Sequence, residues 1–308
     1  MPFTFHTHSG QFCRHASGDL ESVVVAAIDK GMLAIGLSEH VPRSRESELY
    51  PEESDMTPAD LQRAFEAYVV EARRLRDRYS GQISILIGAE TEYITRSSLE
   101  EVRVLREKYR LEYLVGSVHH IDGHPLDFSA SQYRQLVDEH FGGDRAAMFR
   151  RYFDQQLEML QALQPEVIGH FDLVRIFHPY AEGVADPLEE EVAGVRELAS
   201  RNIDYGISYG ALFEVNTRAW KKGLRDAYPG RSLLEEIVGK GGRVTISDDS
   251  HGAGDVGMYY GRLREYLERA GVHELHYLER AEEGVQVRVL ERATEHEFWG
   301  GANKHGLE

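Results

Sequence analysis

The sequence predicts an α/β barrel of parallel strands, and three observations predict it. Seven short apolar runs of β type alternate with amphipathic segments between residues 3 and 246. Parallel strands joined through covering helices give that alternation. Six of the seven runs are followed at once by His, Asp or Glu, and in parallel barrels the chemistry sits at the C-terminal strand ends.

The elements follow in order. Strand one, residues 3–5, runs straight into His6-Thr7-His8. A helix is expected from Asp19 to Lys30, stopped by Gly31. Strand two, residues 34–37, ends in Ser38-Glu39-His40. Thr57-Pro58-Ala59-Asp60 then opens a helix, with a cap, proline at the first helical position and an acid three residues after the cap. Leu61, Phe65, Tyr68, Ala72 and Leu75 follow it at helical spacing. Strand three, residues 83–87, leads into Gly88-Ala89-Glu90-Thr91-Glu92, and strand four, residues 113–118, into His119-His120. Met148, Tyr152, Leu157 and Leu160 mark a further helix, ended by Pro165. Strand five, residues 167–168, precedes Gly169-His170-Phe171-Asp172; strand six spans 212–215; strand seven, 243–246, precedes Ser247-Asp248-Asp249-Ser250-His251. There is no internal repeat, low-complexity stretch or Pro/Gly/Ser-rich linker, so residues 1–308 are expected to form one barrel domain. The last ~40 residues carry no motif and are expected to be a C-terminal extension.

Composition narrows the function. The chain holds 35 basic and 52 acidic residues, a formal net charge of −17, which repels nucleic acid and anionic membranes. No apolar run approaches a membrane span, and the one cysteine, Cys13, cannot form an internal disulfide. A cytoplasmic protein is expected. The same negative field would repel an anionic substrate, so a site for one needs a local positive centre. Metal ions and one or two arginines can supply it.

The 15 histidines matter through their positions. On an extended segment His6 and His8 point the same way and can grip one ion, as can Asp249 and His251. Mixed imidazole and carboxylate ligands suit zinc, iron or manganese. Each piece alone reads more readily as a core or surface histidine than as a ligand; six strand ends together do not. Cys13, between ligand candidates, is read as a buried small side chain rather than a thiolate ligand. His120, His124 and Asp127 are read either as pocket lining or as loop packing. The charged, long loop of residues 43–56 is read as a lid or a surface insertion.

His6-x-His8, His15, Ser38-Glu39-His40, Glu90, Ser117-Val118-His119, Gly169-His170 and Asp249-Ser250-His251 together resemble the polymerase-and-histidinol-phosphatase (PHP) family. Phe12-Cys13-x-His15, Gly36-Leu37-Ser38-Glu39-His40-x-Pro42, Gly169-His170-Phe171-Asp172 and Glu214-Val215-Asn216-Thr217 are similar to its histidinol-phosphatase branch. The insertion around residues 50–56 and His119-His120-Ile121-Asp122-Gly123 resemble the fungal type. The resemblance implies a distorted (β/α)7 TIM-like barrel with three divalent metal ions. His6, His8, Glu90 and Asp249 would hold the first. Glu90 would bridge to a second, completed by His119 and His170, and His15, His40 and His251 would hold the third. Glu90 is preferred to Glu92 because it follows the strand as the family pattern does, leaving Glu92 to support the ligands or meet a substrate ammonium. Asp249 fits the Asp-x-His spacing, leaving Asp248 structural.

The reaction so implied is hydrolysis of L-histidinol phosphate, a small phosphorylated amino alcohol, to L-histidinol and phosphate, in histidine biosynthesis. Metal-bound hydroxide would attack phosphorus in line. Asp249 would guide the hydroxide, and His251 would serve the leaving oxygen at the third site. Arg175 and Arg218, each after a strand end, are candidates for the phosphate; Lys221 and Lys222 are read as surface charges. Three other readings use the same residues: another phosphoesterase of the family acting on sugar, nucleotide or phosphotyrosine esters, a nuclease, which the charge disfavours, and a non-catalytic metal-binding scaffold.

Overall fold

The structure is a computed structural model that describes residues 2–178, 188, 194–282 and 284–301. Seven parallel strands form one sheet in chain order: β1 Phe3–Thr4, β2 Ala34–Leu37, β3 Ser84–Glu90, β4 Tyr113–Gly116, β5 Val167–Ile168, β6 Leu212–Asn216 and β7 Arg243–Ser247. The longer helices are α1 Leu20–Asp29, α2 Pro58–Tyr79, α3 Arg96–Tyr109, α4 Ala130–Phe141, α5 Arg145–Leu163, α6 Val195–Tyr209, α7 Arg231–Gly239 and α8 Tyr260–Arg269. The first seven lie between successive strands, the sequence pattern that predicted the barrel.

Local chemistry sets the boundaries. Asp19 caps α1 by accepting from Ser22 N at 2.8 Å, and Gly31, with φ of 66°, turns the chain out of it. Thr57 and Asp60 cap α2 reciprocally, with Pro58 in its first turn. The five residues read at helical spacing there are all buried. Two strand ends differ from the sequence reading by more than one residue. β3 continues to Glu90, because Gly88, Ala89 and Glu90 pair with Tyr113, Leu114 and Val115 of β4. β4 stops at Gly116 instead of running to 118.

The seam between β7 and β1 places the site. Beyond their C-terminal ends, Thr7 pairs with Ser250 and His8 with His251 in a short parallel bridge. Asp248 staples the same seam: its carboxylate accepts from Thr4 Oγ1 at 3.2 Å, Ser250 N at 3.0 Å and Gly257 N at 2.6 Å. Burial pushes its carboxyl up to about 7, against the pull of those donors. The structural role expected of Asp248 is what this geometry gives it.

Tyr113 fills the barrel beneath the site and donates to Phe5 O at 2.9 Å. Its ring lies where a side chain on Gly88 would go: a Cβ there would sit 2.5 Å from Tyr113 Cε1 and 2.6 Å from its carbonyl oxygen. Gly88→Ala is therefore expected to destabilise the protein by about 1–3 kcal/mol through overpacking. Thermal melts should show a lower midpoint, by about 2–4 °C per kcal/mol; an unchanged midpoint would show that Tyr113 has room to shift. The C-terminal segment supplies a hairpin, Leu275–Arg280 paired with Val285–Leu290, whose Tyr277 ring stacks on Phe3 at 5.3 Å. Among the described residues no helix is long and apolar enough to cross a membrane.

Candidate metal centre

All nine sequence-predicted ligands meet at the C-terminal end of the barrel. Glu90 is the hub. Its Oε1 lies 3.0 Å from His6 Nε2, 3.0 Å from His170 Nε2 and 3.2 Å from His119 Nε2. Its Oε2 lies 2.9 Å from His40 Nδ1 and 3.4 Å from His8 Nε2. Asp249 Oδ1 stands 3.6 Å from both His6 Nε2 and His8 Nε2. The ligand atoms fall into overlapping groups: His6, His8 and Glu90; His6, His170 and Asp249; His8, Asp249 and His251; Glu90, His119 and His170; and Cys13, His15, His40 and His251. The extended reading of 249–251 needs one correction. Asp249 has φ of 48°, a left-handed conformation that Asp tolerates, yet its carboxylate and His251 still share a group.

The electrostatics are those of a cation site. Burial works against ionisation of Glu90, but His6, His119 and His40 hold its carboxyl well below the usual range. Burial alone would depress His6, His40 and His119, yet the facing carboxylates raise all three well above the ordinary histidine value. His15 goes the other way, down to about 3, through burial and the neighbouring His40 and His8. Both nitrogens of His8, with Nε2 of His6 and of His40, are buried without a hydrogen-bond partner. Burying so many unpaired ring nitrogens is costly. Divalent cations satisfy them together, so the donor set fits metal ions.

Behind the ligands stand carboxylates to which the sequence reading gave no role. Glu214 Oε1 lies 2.8 Å from His6 Nδ1, while Ser247 Oγ donates to Oε1 at 2.5 Å, His170 N to Oε2 at 2.7 Å and Asn216 to Oε2 at 3.0 Å. Glu39 accepts from Ser9 N and Oγ at 2.8 and 2.7 Å and faces His8 Nδ1 at 3.7 Å. The signal for Glu214 was present: a charged residue inside an otherwise apolar, buried strand must be paired. A carboxylate behind a ligand imidazole fixes its tautomer and orientation. Glu214→Gln is expected to weaken metal binding or activity about 10–100-fold without loss of fold, as metal titration beside circular dichroism would show. Unchanged affinity would remove Glu214 from the site.

Above the ligands opens a cavity of about 280 Å³. His15, His40, Glu90, His119, His170, Asp249 and His251 line its metal-facing wall, and Arg218 and Lys222 flank it. Phe128, Leu173, Ile176 and Tyr228 give apolar walls, and Asp127 and Glu52 add carboxylates. The 43–56 loop reaches over this mouth. Tyr50 lines the cavity, donates to Glu92 Oε1 at 2.8 Å and lies under the Arg43 guanidinium at 4.1 Å.

The three predicted substrate residues part company. Arg218 lines the cavity, with Nη1 donating to Asp249 O and Asp255 Oδ2, both at 3.1 Å. Arg175 does not line it: buried, it donates to Asp172 Oδ2 at 2.6 Å and to Ala227 O. Glu92 also lies behind the wall, 3.3 Å from His40 Nδ1 and 3.4 Å from His119 Nδ1. Of the residues left open, Asp127 lines the cavity, His120 stacks beside Tyr50, and His124 packs on His140 at 3.8 Å. Lys222, read as a surface charge, is exposed but stands at the cavity rim.

Known proteins share this arrangement of sequence and fold. The chain is 44% identical over 299 residues to a probable histidinol-phosphatase of Schizosaccharomyces pombe, covering 97% of this chain and 96% of that one. It is 30% identical to the histidinol-phosphatase of Saccharomyces cerevisiae, covering 89% of each. The fold superposes with a TM-score of 0.68, at 20% identity, on the histidinol phosphate phosphatase of Lactococcus lactis, solved with zinc, L-histidinol and phosphate; the match covers 92% of this chain and 98% of that one. Residues 4–218 match the PHP domain, and the chain belongs to that family.

Proposed function

We propose that this protein is a metal-dependent phosphomonoesterase that hydrolyses L-histidinol phosphate to L-histidinol and phosphate, a step of histidine biosynthesis. The observation that carries the chemistry is the convergence of nine imidazole and carboxylate ligands at one end of the barrel, seven of them lining one wall of a cavity flanked by Arg218. The substrate rests on relatives of that name, similar along nearly the whole chain. Three divalent ions, zinc, iron or manganese, are assigned: one to His6, His8, Glu90 and Asp249, one to Glu90, His119 and His170, one to His15, His40 and His251. Residues 1–308 act as one catalytic unit, with the C-terminal hairpin as an extension on the barrel. The lone cysteine agrees with a cytoplasmic setting.

Bound divalent ions supply Lewis acidity, making water a nucleophile near neutral pH and offsetting phosphoryl charge. The chain does the rest. Glu90 spans two ligand groups with its two oxygens. Asp249, steadied by Asn216 Nδ2 at 3.3 Å, orients the attacking water. His251 donates through Nδ1 to Asp249 O at 3.0 Å, which leaves Nε2 to hold the third ion at the leaving-group end of the site. Arg218 and Lys222 offset the −17 charge where the phosphate enters. Arg175 and Glu92 act from behind the wall, as positioning residues. Tyr50 and Phe128 narrow the mouth and exclude water from the reacting bond.

Phosphate release from L-histidinol phosphate by metal-analysed protein, beside other phosphomonoesters and a single-stranded oligonucleotide, tests this. Strong preference for histidinol phosphate is expected. Arg218→Ala should raise KM about 10–100-fold, the worth of a lost charged hydrogen bond. Turnover of other esters with none of histidinol phosphate would retain the metal chemistry and reject the substrate.

A further inference from the structure

The group around His15 offers one ligand more than the three histidines assigned to the third ion. Cys13 Sγ lies 3.2 Å from His15 Nε2, and the thiol joins His15, His40 and His251 in one group whose ligand atoms all fall within 4.8 Å of one another. Ligand bonds of about 2.3 Å to sulfur and about 2.0–2.1 Å to nitrogen put neighbouring tetrahedral ligand atoms roughly 3.3–3.7 Å apart. The Cys13–His15 separation is that of two ligands on one ion, and side-chain shifts of about 1 Å would close the whole group to one coordination shell. A second observation points the same way. His40 faces the Glu90 and Glu92 carboxylates through Nδ1, and its Nε2, the nitrogen left for an ion, is buried with no hydrogen-bond partner. The backbone holds the thiol in place: Cys13 N donates to Ser9 O at 2.9 Å and Ser17 N to His251 O at 3.0 Å, tying this turn to the strand end that carries His251.

We infer that Cys13 is a ligand of the third ion and completes a set of one thiolate and three imidazoles. On binding, the S–H bond breaks, the proton leaves to solvent and the S–metal bond forms, with no change of oxidation state. The inference rests on the three-ion reading above. It makes the third site chemically unlike the other two, whose ligands are nitrogen and oxygen alone. A soft thiolate selects zinc over manganese there.

The chain has one cysteine, so any thiolate signal comes from Cys13. The experiment is cobalt(II) titration of the metal-stripped full-length protein, following bound cobalt and the near-ultraviolet thiolate-to-cobalt charge-transfer band. The wild type is expected to bind three cobalt ions and to develop the band with one of them. Cys13→Ser should lose the band and one of the three ions on dialysis. Metal-loaded wild type should also resist a disulfide thiol reagent until a chelator is added. Three bound ions with no band in the wild type overturn the role of Cys13 and leave the three-ion reading standing. Two bound ions with no band overturn both. The wild-type spectrum decides even where the serine variant fails to fold.

Discussion

Glu90→Gln is expected to cost the protein most of its bound metal and about 10³-fold in kcat/KM. Five imidazoles face this one carboxylate within 3.4 Å, three on one oxygen and two on the other. The side chain is almost wholly buried, so no water takes over when its charge is removed. Losing one partner of a buried charged pair costs about 3–5 kcal/mol, which in a barrier corresponds to roughly 10²–10⁴ in rate. The amide keeps the shape and one acceptor oxygen, so the barrel should survive and circular dichroism should be unchanged. Metal analysis and turnover on the same preparation check this together. Loss of activity with full metal content would reassign Glu90 from holding ions to a purely electrostatic role. Full activity with full metal content would remove it from the centre.

How much of this was legible beforehand depends on what each residue's position encodes. The seven strands were readable because short β-branched runs are punctuated by helix caps such as Thr57 and stops such as Gly31. The clustering of His6, His40, His119 and His170 was readable because a parallel barrel puts strand ends on one face, whereas His15, off any strand end, entered only through the family resemblance. What linear order does not carry is direction at the second remove. Arg175 and Arg218 both follow strand ends, yet Asp172 and the 226–227 carbonyls draw the first into the wall while the second stays at the cavity. Glu90 and Glu92 lie on the same side of an extended segment. Both reach His40 Nδ1, yet Glu90 alone gathers five ligand imidazoles and lines the cavity, while Glu92 meets His119 Nδ1 from outside it. The pairing of His8 with His251 across the seam joins opposite ends of the barrel sequence, a contact that local periodicity cannot show.

Asp249→Asn is expected to keep the fold and most of the metal while lowering kcat by about 10²-fold, the cost of letting a reacting group drift from its productive position. The substitution isolates charge unusually well. Asparagine adopts the left-handed backbone at φ of 48° as readily as aspartate. The carbonyl that receives Arg218 Nη1 at 3.1 Å and His251 Nδ1 at 3.0 Å is backbone and stays in place. What disappears is the anionic oxygen 3.6 Å from His6 and His8 Nε2. Burial works against ionisation of Asp249, yet His6, His251 and Arg218 hold its carboxyl below the usual range. A carboxylate with so depressed a pKa is ionised at every working pH and is a weak base, so its contribution is to orient the water. The sign for the pH profile follows: protonation of Asp249 would remove activity only as pH falls below the ordinary carboxylate range, beneath the working window. The Asp249→Asn variant should therefore scale the whole kcat profile down without moving its acid limb. An acid limb that disappears in the variant would make Asp249 the titrating base, and unchanged turnover at full metal content would give its role to another residue.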